Sequence, residues 1–168
     1  MITRIANNKG ITLIEMMVVV GILGVLAGIA TVMFMRDLPK YRLKDATREL
    51  FNDIQSARIS AVRNGLPCTI QQFPANSNSY RIVQNGSVLK SVDLGAFKGV
   101  SFGSLNSAAP EPDSGTFASD QLVVQPSGLA TAGSFYLKSD STPADGREIE
   151  VTAAGRPRIK SWTGTGYN

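Results

Sequence analysis

Two clusters in this chain have residues of the right type and spacing to do chemistry. The first is Glu15, which follows Gly10-Ile11-Thr12-Leu13-Ile14 and opens onto twenty uncharged, mostly apolar residues from Met16 to Met35. A helix of that length spans about 30 Å, the thickness of a bilayer's hydrocarbon core. A carboxylate at its edge is costly in lipid and calls for a named cationic partner. The second cluster is Gly155-Arg156-Pro157-Arg158-Ile159-Lys160-Ser161-Trp162, with no acid between Val151 and Asn168. On an extended strand Arg156, Arg158 and Lys160 share one face, and Trp162 continues the alternation. Such a row suits phosphate, because Arg forks grip it bidentately. An indole beside it offers a stacking surface for a base or sugar. The same row is equally what an edge strand carries to prevent edge-to-edge aggregation, with Gly155 supplying only a turn. Any nucleic-acid binding here should be sequence-independent, weak for one copy and steeply salt-dependent.

Elsewhere the composition argues against catalysis. The chain has no His, so the commonest general base and metal ligand is missing. Cys68 is the only cysteine, which forbids an intrachain disulfide. Placed after Pro67 at the start of a strand, it reads as a small buried apolar residue. Acids are scattered, with no EF-hand-like spacing. The expectation is no enzyme, no cofactor, no metal and no small-molecule substrate. The net charge of +4 overstates the basicity, because Arg4 and Lys9 sit in the first ten residues. Without them, fifteen basic residues face thirteen acids, a balance of +2. Bulk charge therefore says nothing about nucleic acid.

The elements that must hold these clusters follow from periodicity. Leu43, Thr47, Leu50, Ile54, Ala57 and Ala61 recur at intervals of three and four, with Ala46 and Val62 beside them. This is a helix with one buried stripe. Arg42, Lys44, Asp45, Arg48, Glu49, Asn52, Asp53 and Arg58 fill much of the solvated remainder. Arg58 and Arg63 near the helix end hint at nucleic acid, but cations there also complement the helix dipole, and a solvated face is the better reading. Asn64-Gly65 followed by Pro67 is a stop signal. One helix from about Thr12 to Asn64 is expected, with Pro39 kinking it. Gly21, Gly24 and Gly28 permit close helix approach in lipid.

Strands are expected at Thr69–Phe73, Tyr80–Gln84, Ser87–Leu94, Val100–Leu105, Gln121–Gln125, Ser134–Ser139, Glu148–Thr152 and Arg158–Trp162. Asn85-Gly86 is a hairpin signal. Residues 106–115 and Ser141–Gly146 read as exposed connections. A long helix followed by short antiparallel strands gives an α+β fold, with the helix stripe covering one face of the sheet or sandwich.

Lys9-Gly10, an apolar residue at position 11, Glu15 five places after the glycine and Met16-Met17-Val18-Val19-Val20 resemble the prepilin signal of the type IV pilin-like family. Ile11 stands where that family usually has Phe. The resemblance implies cleavage after Gly10 by a prepilin peptidase and N-methylation of Ile11. It implies three segments: a leader at 1–10, a transmembrane and filament-core helix at 11–36, and a globular head at 37–168 with an amphipathic helix at 40–64. The basic leader would stay cytoplasmic, leaving the head periplasmic on a single-pass inner-membrane protein. Glu15 would neutralise the Ile11 amine of a neighbouring subunit, removing most of the cost of a buried charge and selecting the assembly register. A secretory signal cut after Ala30 is a rival, but the apolar stretch is too long for one and Glu15 interrupts its start. A plain membrane anchor is the other rival, and it leaves the Gly10–Glu15 spacing unexplained.

The segments Ala46-Thr47-Arg48-Glu49-Leu50 and Gln55 to Asn64 resemble the GspH/FimT branch, as do Gln125-Pro126-Ser127-Gly128 and Gly155-Arg156-Pro157-Arg158. The branch holds minor pilins of type IV pili and minor pseudopilins of type II secretion systems. Its members partner with other pilin subunits, and some bind DNA for uptake through a Gly-Arg-x-Arg motif that residues 155–158 fit. The alternatives left open are a secretion pseudopilin that ignores DNA and a membrane-anchored periplasmic module that never assembles.

Overall fold

Helix α1 runs Leu13–Asn64, with Pro39 inside it. The computed structural model describes residues 11–73, 77–105, 115–117, 121–142 and 145–168. Residues up to Leu38 make one compact unit and Pro39–Asn168 another.

In the first unit the side chains from Ile11 to Asp37 are all exposed. The helix is apolar and long enough to cross a membrane. Its one internal hydroxyl is satisfied locally: Thr31 Oγ1 donates to the Ala27 carbonyl at 2.8 Å. That bond removes the polar group an apolar surrounding could not solvate.

In the second unit α1 buries Leu43, Ala46, Thr47, Leu50, Asp53, Ile54, Ala57 and Ala61. The expected stripe is there, with two differences. Val62, expected beside it, is 53 % exposed. Asp53, expected in water, is buried. Burying Leu43, Leu50 and Ile54 contributes about 1.5–3 kcal/mol each.

Eight strands follow; burial alternates strictly along the second and fifth, as period-2 packing requires, whereas all three residues of the fourth are buried and nearly all of the third is exposed. They are β1 (Cys68–Gln72), β2 (Ser79–Gln84), β3 (Ser87–Asp93), β4 (Val100–Phe102), β5 (Gln121–Val124), β6 (Gly133–Ser139), β7 (Gly146–Val151) and β8 (Pro157–Ser161). Two antiparallel sheets result, in the orders β3-β2-β1-β5 and β4-β6-β7-β8. Seven predicted strands match within about two residues, and the β4 strand is shorter than expected. It stops before Gly103, whose φ is +147°. Leu94, expected in β3, starts a single 3-10 turn instead. The loop expected at 106–115 lies almost wholly outside the described residues. Asn85 and Gly86 both take positive φ between β2 and β3, the conformation a tight hairpin of this hand demands.

The first sheet turns Cys68, Ile70, Tyr80, Ile82, Leu122 and Val124 inward, and the second contributes Phe102, Phe135, Leu137, Ile149 and Val151. All join one core with the α1 stripe.

Two polar links fix α1 on the first sheet. Asp53 accepts from the Tyr80 hydroxyl at 2.7 Å and from Lys90 Nζ at 2.8 Å, and Lys90 also reaches Glu49 at 3.0 Å. Burial, then the bond to Asp53, pushes the Tyr80 phenol well above its ordinary range, so it remains a neutral donor. Burial works against the charge of Lys90, but its bonds to Asp53 and Glu49 outweigh that and raise its pKa. At the helix end, Gln84 Oε1 accepts from Ser60 and Asn64 at 2.9 and 2.8 Å, and its amide donates to the Leu66 carbonyl.

Candidate functional site

At the amino-terminal end, Thr12 caps α1. The Glu15 amide donates to Thr12 Oγ1 at 3.3 Å, and the Met16 amide to the Thr12 carbonyl at 3.2 Å. Glu15 sits in the first turn, three residues beyond the cap. There its charge complements the helix dipole, worth about 0.3–1 kcal/mol. The Thr12 cap, bonded by the backbone amide of Glu15, is a local feature that the charge-pairing argument overlooks, although Thr-x-x-Glu is legible in the sequence. Gly10 lies outside the described residues. Ile11 is described and exposed.

The carboxy-terminal cations divide into two groups. Arg158 and Lys160 lie two apart on β8, an edge strand of the second sheet. Arg158 stands opposite Glu150, and Lys160 opposite Glu148. Lys160 makes ion pairs with Glu150 at 3.2 Å and Glu148 at 3.7 Å. Arg158 is exposed, with no ion pair among the described residues. Trp162 lies just past β8, half-buried, its ring 5.0 Å from Tyr167. The Tyr167 hydroxyl in turn accepts from the Leu105 amide. The tail folds back so that Ser161 and Asn168 exchange backbone hydrogen bonds of 2.7 and 3.0 Å, covering that end of the strand edge.

Arg156 precedes the strand. It is exposed and lies beside the last turns of α1, lining a hollow with Gln55, Arg58, Ile59 and Pro157. A second hollow shares Arg58 and Ile59 and adds Val62, Arg63, Ser127 and Gly128. Together they form one groove along the end of the helix. Two turns build its far side. Gly128 and Gly155 have φ of +82° and +68°, and the Ala130 amide donates to the Ala153 carbonyl at 3.0 Å. A Cβ on Gly155 would overlap the Gly128 carbonyl oxygen and come within 3.3 Å of Arg58 Nε. Gly155 is therefore a packing glycine at a positive φ, and not only a turn. Gly155→Ala should lower stability by about 2–3 kcal/mol, from backbone strain plus steric overlap. A thermal melt of the purified protein would then fall by roughly 5–10 °C.

The family described as Type II transport protein GspH matches residues 46–155, more than half of the chain. The chain belongs to the GspH family. Its match begins in the buried stripe of α1 and ends at Gly155, so it spans both sheets up to the turn before β8. A prokaryotic N-terminal methylation motif matches residues 5–31. Among individual proteins, the pilin-like protein PilA1 of Thermus thermophilus is 26 % identical over 160 residues, covering 92 % of this chain and 99 % of the relative. The fold resembles the type IV minor pilin FimU of Pseudomonas aeruginosa, with a TM-score of 0.52 and 19 % identity over 75 % of this chain and 97 % of that one. It also resembles the minor pseudopilin EpsH of the Vibrio cholerae type 2 secretion system, with a TM-score of 0.53 and 12 % identity over 74 % and 99 %. The chain is thus a pilin-like protein of the GspH family, and the apolar amino-terminal helix together with the methylation motif suggests a membrane anchor.

Proposed function

We propose that this protein is a minor pilin or pseudopilin subunit, made as a precursor and incorporated into a filament through its amino-terminal helix. Prepilin peptidase cuts between Gly10 and Ile11, and the new Ile11 amine is methylated. Residues 11–36 then span the inner membrane, with the cytoplasm at their amino-terminal end and the head, 37–168, in the periplasm. Partners are neighbouring subunits, engaged where Glu15 meets a neighbour's Ile11 amine. The protein is structural and catalyses nothing. The observation that carries this reading is Glu15, the only charged residue between Ile11 and Met35, at the start of a fully exposed apolar helix. Exposed aliphatic side chains along that helix favour first lipid and then packed helices of other subunits. Mass spectrometry of the protein recovered from native membranes should give a chain starting at N-methylated Ile11. A chain starting at Met1, or just after Ala30, overturns the reading.

A second reading, DNA binding, is favoured by the exposure of Arg156 and Arg158 without ion-pair partners among the described residues. The pairing of Lys160 with Glu148 and Glu150 weakens its share in any phosphate row. Retardation of duplex DNA at low salt should vanish in Arg156→Ala plus Arg158→Ala and persist in Lys160→Ala. Removing one phosphate-binding side chain should lower the salt slope by about one. An undiminished shift in the double variant rules this reading out.

A further inference from the structure

The groove at the end of α1 takes no part in the Glu15 chemistry, and its lining combines cations with apolar side chains. Arg58, Arg63 and Arg156 line it, and none of these side chains makes a hydrogen bond or ion pair with the described residues. Between them lie exposed aliphatic side chains. Ile59 is 66 % exposed and Val62 53 %, and Leu129, next to Gly128, is 57 % exposed. No aromatic side chain lines either hollow, so an unpaired base would find no stacking surface there.

We propose that this groove docks a protein segment carrying carboxylates beside aliphatic side chains, presented by a neighbouring subunit. The proposal rests on the pilin reading for the source of that segment. Charge complementarity supplies the argument: three uncompensated guanidinium groups call for carboxylates, which they hold by paired N–H donors. The aliphatic floor separates this ligand from a simple polyanion. Covering Ile59 and Val62 removes apolar surface from water at about 25 cal/mol per Å², a gain that a phosphate backbone cannot provide. Arginine is also among the residues enriched at protein interfaces.

The test uses the full chain in nanodiscs of neutral lipid, with empty nanodiscs as the blank and fluorescence anisotropy as the readout. The probes are four: a short peptide alternating Glu and Val, one alternating Glu and Gly, one alternating Gln and Val, and a DNA duplex of equal charge. The Glu/Val peptide should bind about tenfold tighter than each of the others. Ile59→Ser with Val62→Ser should erase its advantage over the Glu/Gly peptide. Arg63→Ala should weaken the Glu/Val peptide about threefold and leave the Gln/Val peptide unaffected. All three residues are exposed, so an unchanged melting temperature verifies that the variants fold. The proposal is overturned if the Glu/Val peptide does not bind, if the Glu/Gly peptide binds as well, or if the duplex binds more tightly. Because unassembled protein is measured, failure here leaves the Glu15 reading standing, to be judged by the Ile11 terminus and by assembly.

Discussion

Glu15→Ala should leave the protein anchored in the membrane and absent from filaments, with incorporation in sheared fibres falling below detection. The informative companion is Glu15→Gln. The bond to Thr12 is made by the backbone amide of residue 15 and persists in both variants, so if a polar side chain of this length is all that position needs, incorporation of the glutamine variant survives. If its charge neutralises a neighbour's amine, glutamine fails as alanine does, because the unpaired amine remains among apolar helices at a cost of several kcal/mol. Quantifying the subunit in fibres and membranes, by immunoblot against the wild type, separates the two roles. Normal incorporation of Glu15→Gln would remove charge pairing from the mechanism.

The second large effect is on the stability of the head. Asp53→Ala should cost about 3 kcal/mol, because it strands the buried Tyr80 hydroxyl and breaks a bond to a charged acceptor. Lys90 adds little to that figure, since its side chain is 41 % exposed and water screens the pair. Asp53→Asn keeps an acceptor for Tyr80 and should cost only about 1 kcal/mol. A melt should therefore drop by roughly 10 °C for alanine and about a third of that for asparagine. Equal losses for the two variants would place the effect in helix packing and not in the Tyr80 bond.

Much of this architecture could be read from residue order. The spacing of Leu43, Leu50, Ile54, Ala57 and Ala61 defined the buried helix face, and Asn85-Gly86 announced the β2–β3 hairpin, though not the register shift between Ile82 and Val83 farther along it. Both signals are local, set by helical pitch and by which residues tolerate positive φ. Asp53 escaped that reading because its partners, Tyr80 and Lys90, come from strands that no helical period announces. A carboxylate among Asn52, Arg48 and Glu49 looks solvated until a hydroxyl arrives from across the core. The groove was hidden for a similar reason. Arg58 and Arg63 passed for an ordinary wet helix face, and Arg156 for one member of a strand row. They come together because the turns of Gly128 and Gly155, far apart in sequence, meet with the Gly128 carbonyl too close to position 155 for a side chain there. The Lys160 pairing likewise needs the β7–β8 register, which sets Glu148 directly across from it.

Cys68 is fully buried where β1 begins, between Gln84 and Val124 of the flanking strands. Burial raises the pKa of its thiol, which keeps the nucleophilic form scarce. Oxidants and electrophilic dyes should find nothing to attack in the native head, so copies cannot be stapled together through sulfur. Reaction with such a dye then becomes a clock for opening of the core, timing each excursion in which β1 parts from its neighbours.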